Sequence, residues 1–205
     1  MKKLLAVSLL LCLTIPCVSQ TKYTVADIRN ARSLIWFGLD FSEARMYGPF
    51  TDREQFPSVY IGEWNNAFVD GKATFFPTDL KKILGMDYIF YDLSIVRDRN
   101  KDIKVEELFG NSDKEKHLLT EDMIIKIIKK YDPKEKDGIG LVLIVENFDK
   151  SLEIVNVWVT YFDPTTKTVI RTRKYTGKAA GAGIIKHWTG GIVNILDDIK
   201  KHSIY

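Results

Sequence analysis

The segment Ile139-Gly-Leu-Val-Leu-Ile-Val145 is almost uninterrupted apolar chain. A run of strand length with no polar side predicts a central strand buried on both faces. Leu152 to Phe162 reads as a second long strand. Asp163-Pro-Thr-Thr-Lys167 is turn chemistry, and Thr168 to Thr176 is the hairpin partner. Gly177 to Gly183 is a connection of small residues, followed by a closing helix from Ile184 to about Lys201. Ile184, Trp188, Ile192, Ile195 and Ile199 fall at helical spacing and form its buried stripe.

Upstream, Thr24-Val-Ala-Asp27 has the form of a capping box with Asp in place of Glu. Ser33 to Ser42 is apolar and aromatic and predicts the first strand, and Gly48-Pro49 marks a loop. Val59, Trp64, Ala67 and Phe68 follow helical spacing until Asp70-Gly71 stops them. Thr78 caps a short helix from Asp79 to Leu84 that ends at Gly85. Tyr88 to Val96 alternates as a strand, and residues 97–118 are a charged surface excursion. Thr120 starts a helix with Met123, Ile124, Ile127, Ile128 and Tyr131 on one face, ended by Asp132-Pro133. The pattern predicts one α/β (α+β) domain over residues 20–205. It has a single mixed β-sheet of about five strands with helices packed on it, and a C-terminal β-hairpin followed by a closing helix.

Residues 1–19 read as a signal peptide. Lys2 and Lys3 make a positive start, and Leu4 to Ile15 is apolar but shorter than the ~20 residues a membrane span needs. Cys17 and Ser19 are small residues at −3 and −1 of a cut before Gln20, and Pro16 breaks the helix upstream. Cys12 and Cys17 both lie in this segment, so cleavage leaves no thiol for a disulfide, a nucleophile or a cysteine–zinc site. The alternative is lipidation at Cys17, where Pro16 and Thr14 hold the places a lipobox gives to a small residue and to Leu. Either route predicts a periplasmic or secreted protein with no membrane span.

Composition excludes several classes. Of 205 residues 45% are hydrophobic and 28% charged, which is ordinary globular make-up, and a chain of this length needs no metal or disulfide staple. The formal net charge is +3 with no basic stripe, so nucleic acid is not an expected partner. His117, His187 and His202 are too scattered for a metal motif, and no GxSxG is present. No catalytic residue, metal ligand or cofactor is assigned. Asp40 in the first strand either faces solvent or marks a site at the strand's end, and Glu63-Trp64-Asn65-Asn66 offers a polar cluster on a helix.

Two features are candidates for binding. Thr176-Gly-Lys-Ala-Ala-Gly-Ala-Gly183 runs from a strand into a helix, as phosphate-cradling loops do. It lacks the Lys-Ser/Thr order of a Walker loop, and Lys186 stands where a dinucleotide fingerprint has its third glycine. It is therefore read either as close helix-on-sheet packing or as a ligand or anion site made by Lys178, Gly181, Gly183 and His187. Gly190-Gly191 interrupts the last helix at roughly 1 kcal/mol per glycine, which tight backbone packing would offset. Phe75-Phe76-Pro77 lies in a loop and is the candidate partner contact.

The tail from Val157-Trp-Val-Thr-Tyr-Phe-Asp163 through Thr176–Gly183 to His187-Trp188 resembles an uncharacterised secreted protein family of Bacteroidetes-type bacteria. That likeness covers about the last third and implies no activity. The element order is similar, at the level of fold, to envelope accessory domains of the penicillin-binding-protein-activator and curli-secretion lipoprotein type. The resulting expectation is a non-enzymatic envelope module that binds another envelope protein or envelope component. The alternative is a small-molecule or anion-binding protein, possibly an enzyme, that uses the glycine-rich loop 177–183.

Overall fold

The computed structural model describes residues 22–69, 72, 78–110 and 117–202. The expected leader with Cys12 and Cys17, the Asp70-Gly71 stop, Phe75, Phe76 and the His202 side chain lie outside the described residues.

Six strands form one sheet: β1 (Ser33–Asp40), β2 (Arg45–Tyr47), β3 (Tyr88–Tyr91), β4 (Gly140–Asp149), β5 (Ile154–Asp163) and β6 (Thr168–Lys178). The order is β3-β1-β4-β5-β6, with β2 also on β4. β3, β1 and β4 are parallel, while β4, β5 and β6 form an antiparallel meander. The helices are α1 (Val25–Asn30), α2 (Ile61–Asn66), α3 (Leu80–Leu84), α4 (Ser94–Asn100), α5 (Val105–Phe109), α6 (Glu121–Lys129) and α7 (Ile184–His202). A π-helical turn, Phe56–Tyr60, leads into α2.

β4 is the centre that its composition predicts, with every residue buried. β1 pairs with its first half and β2 with its last three residues. Alternation along β5 sends Val155, Val157 and Val159 to one face, where α7 packs through Trp188 stacked on Phe148 with ring centroids 4.7 Å apart. Phe162 lies on the other face and meets Tyr131, just after α6. A bulge at Glu146 turns two successive side chains, Glu146 and Asn147, to that second face. The buried Glu146 carboxylate accepts from Trp158 Nε1 at 3.1 Å and from the Leu119 N–H at 3.0 Å, and pairs with Lys174. A buried charge so partnered is tolerated where a lone one is not.

β3 pairs with β1 only as far as Trp36, which leaves the edge of β1 bare beyond it. Two buried asparagines fill the gap. Asn65 of α2 accepts the Leu39 N–H at 2.8 Å and donates to the Leu39 carbonyl, and Asn100 of α4 accepts the Phe41 N–H at 2.8 Å and donates to the same carbonyl. Side-chain amides thus stand in for a missing strand, because buried backbone groups must be paired.

Several expectations need correction. The strand begun at Tyr88 stops at Tyr91, because Asp92 accepts from the Ser94 N–H and hydroxyl and turns the chain into α4, where Val96 is buried. The described part of 97–118 is not a plain surface excursion, since Asn100, Ile103 and Leu108 are buried and α5 forms there. Asp79, not Thr78, caps α3, through the Lys82 N–H at 3.0 Å. Leu152 is exposed in the turn before β5. Trp64 and Asn65 are core residues, so no polar cluster is displayed on α2. Asp40 neither faces solvent nor opens a site: it is buried and accepts from Tyr131, Arg99 and the Ser42 N–H. Burial, reinforced by Asp40, pushes the Tyr131 phenol well above its ordinary pKa, so it remains a donor to that carboxylate.

Candidate functional site

The glycine-rich segment is shorter as a loop than its composition implies. β6 continues through Gly177 and Lys178, which pair with Val155 and Ile154. A side chain at Gly177 would collide with the Gly191 carbonyl, and one at Gly190 would collide with that of Ala180. The glycines inside α7 therefore exist for backbone-on-backbone packing against β6 and the following loop. Hydrogen bonds tie that loop to α7: the Ala180 N–H donates to the His187 carbonyl at 2.9 Å, and the Asn194 amide donates to the Lys178 carbonyl at 2.8 Å. Gly181 and Gly183 have φ of +119° and +79°, a region that disfavours any side chain.

The anchored loop forms one wall of a cleft of about 280 Å³ at the start of α7. Phe50 and Trp188 form an aromatic base, with centroids 5.5 Å apart. Lys150 and Glu153 come from the β4–β5 turn, Gly181 and Gly183 from the loop, and His187 from α7. Lys150 Nζ donates to the Pro49 carbonyl at 2.7 Å and lies 5.5 Å from the Phe50 ring centre. His187 Nδ1 lies 3.2 Å from the Gly181 carbonyl. A carbonyl only accepts, so Nδ1 carries the proton and Nε2 is left for another partner.

Of the residues singled out from the sequence, Gly181, Gly183 and His187 come together in this cleft. Lys178 does not line it: it is exposed at the end of β6. Sequence reasoning missed Phe50, Lys150 and Glu153 as cleft residues, and it read Trp188 only as core. They come from segments about a hundred residues apart, and no spacing signals their meeting. His117 is elsewhere, its N–H donating to the Tyr47 hydroxyl at 2.7 Å. Burial, aided by Arg45, pushes its imidazole below the ordinary value.

Among the described residues, no group of three or more His, Cys, Asp or Glu is placed to hold a metal. Among the same residues, no helix is long and apolar enough to cross a membrane. No protein-family model matches the chain, and no curated protein matches it. Among solved structures, the chain is similar to the LpoB C-terminal domain from Salmonella enterica. Identity is 12% over 75% of this chain and 92% of that one, with a TM-score of 0.25. A likeness at that score carries no argument about fold or function. The resemblance of the tail to a Bacteroidetes-type secreted family finds no support in these comparisons.

Proposed function

We propose that the protein is a non-enzymatic binding module of the cell envelope, exported by its leader, that docks another envelope protein or envelope component through the cleft at the start of α7. The observation that carries this reading is the convergence of Phe50, Trp188, Lys150 and His187 around a loop fixed by glycine packing. A buried aromatic floor with one cationic side chain and one imidazole at its rim, on a rigid support, is a surface suited to binding. A pulldown from periplasmic extract with the chain from Gln20 onward, read by mass spectrometry, tests it. The expected result is an envelope partner that is lost with a Lys150→Glu/His187→Ala double variant. Equal recovery by that variant removes the cleft from the reading, and recovery of no partner removes the binding role.

A second reading, a small-molecule or anion site at the same loop, is favoured by one observation. The cleft's 280 Å³ approaches the ~300 Å³ at which ligand sites begin, with Gly181, Gly183 and His187 beside it. A saturable rise in Tm with inorganic phosphate, abolished by His187→Ala, would establish it. Lys178, outside the lining, takes no part in this reading.

A further inference from the structure

Two clefts meet over the first turn of α7. The one described above shares Gly183 and Ile184 with a second, of about 460 Å³, whose walls include Val59, Tyr60, Ile185 and Lys186. The second is the apolar end. Val59 is 44% exposed, and Tyr60 and Ile185 are half-buried. The Tyr60 ring is held edge-on against Phe56, with centroids 5.2 Å apart, so this wall is in place before any partner arrives. The first cleft is the charged end, with Lys150 and Glu153. Lys186 stands between the two, since its side chain lies against Gly181. Among the described residues, Glu153 is the one acidic residue lining either cleft, against Lys150 and Lys186. The joined groove is therefore apolar at one end and predominantly basic at the other.

We propose that this groove takes an extended acidic segment of a partner polypeptide. An apolar side chain seats against Val59, Tyr60 and Ile185, and a carboxylate two residues away meets Lys150. Residues i and i+2 of an extended chain project to the same side, roughly 6.6 Å apart, so one segment presents both groups to adjoining clefts. A carboxylate accepts from Lys150, while His187, whose Nδ1 proton is held by the Gly181 carbonyl, offers Nε2 as an acceptor to an N–H of the bound segment. The inference rests on the binding-module reading and names the chemistry of its partner.

Selection of a random displayed peptide library against the protein from Gln20 onward reads this preference directly. The expected enrichment is an Asp or Glu two positions from an aliphatic or aromatic residue. A synthetic peptide of that consensus should bind about fivefold or more weakly to Lys150→Glu, the worth of a partly exposed ion pair, and similarly to Ile185→Asp. Tyr88→Ser, on the far edge of the sheet, should bind it as the parent protein does. Far-UV circular dichroism confirms that each variant is folded. Enrichment of basic or pattern-free peptides, no enrichment, or affinity indifferent to both groove variants overturns the proposal. If the periplasmic pulldown still captures a cleft-dependent partner in that event, the acidic-peptide inference alone has failed. If it does not, the binding-module reading fails with it.

Discussion

The Cα of Gly190 in α7 lies so close to the carbonyl of Ala180 that a methyl group added at 190 would collide with it. Local propensity and tertiary packing therefore make opposite forecasts for the same substitution. Alanine in a helix interior gains about 1 kcal/mol over glycine. Overpacking against an immovable backbone costs about 1–3 kcal/mol. Packing should win here, because the Ala180 N–H is itself bonded to α7 through the His187 carbonyl and the loop has nowhere to retreat. Gly190→Ala should lower the urea midpoint. A variant more stable than the parent would show that α7 does not sit on the loop in this way.

Asn65 and Asn100 both donate to the Leu39 carbonyl, at 3.1 and 2.9 Å, and each also accepts a backbone N–H of the same strand edge. Replacing either with Ala strands a buried backbone donor, at about 1–3 kcal/mol. Because they share an acceptor, the two losses should not add. A double-mutant cycle should give a coupling of about 0.5 kcal/mol or more, whereas independent sites add within that margin. Strict additivity would mean that the two amides do not act together as the missing strand.

Much of the sheet was legible because its signals are periodic. β4 announces itself by an unbroken apolar run, the β5–β6 hairpin by Asp163-Pro164, and α7 by a stripe whose Trp188, Ile192, Ile195 and Ile199 are all buried. β2 was invisible, since three residues have no period. The helix at Ser94 was hidden by an alternation from Tyr88 to Val96, and the side chain that ends the strand, Asp92, is also held by the N–H groups of Lys134 and Glu135 some forty residues on. The cleft was half legible. The glycine loop and His187 stand out in the chain, but Phe50 and Lys150 reach them only through tertiary structure.

Acid should weaken the fold through two carboxylates. Burial pushes Asp163 up, but bonds from the N–H groups of Lys22, Thr166 and Thr165 outweigh it and leave its pKa below the ordinary value. Burial likewise raises Asp92, and Ser94 with the N–H groups of Glu135 and Lys134 more than reverses it. A carboxylate depressed in the folded state binds its proton more tightly when unfolded. Its stabilisation is complete above the unfolded value of about 3.9 and is lost as pH falls through the lower folded value. Denaturation midpoints should therefore fall below about pH 4, with a shallower fall in Asp163→Asn, beneath an earlier decline that starts below about pH 6.5, where the unfolded chain protonates His117 and the folded one resists. An unchanged slope in that variant would remove Asp163 from the account.

The proposed export makes its own prediction. Cleavage between Ser19 and Gln20 would leave a chain without cysteine and take the formal net charge of +3 down by two, with the loss of Lys2 and Lys3. Intact mass of the exported protein should match a chain beginning at Gln20. A diacylglyceryl increment on a chain beginning at Cys17 would instead establish a membrane anchor, by the lipidation route.

The loop before α7 offers the sharpest contrast between geometry and charge. At Gly181, φ is +119° and a Cβ would press on the Lys186 backbone, so Gly181→Val is strained twice over. It should cost on the order of 1–3 kcal/mol. Lys178 is exposed at the end of β6, and its carbonyl, which Asn194 holds, survives replacement of the side chain. Lys178→Ala should change stability by less than about 0.5 kcal/mol. It should also leave partner capture intact, because its side chain does not line the cleft. A Lys178→Ala variant that loses the partner while keeping its denaturation midpoint would move the binding surface off the Phe50–Trp188 base and onto the outer end of β6. Silence at Lys178 together with loss at His187 would keep that surface inside the cleft, where the glycines hold the loop in place.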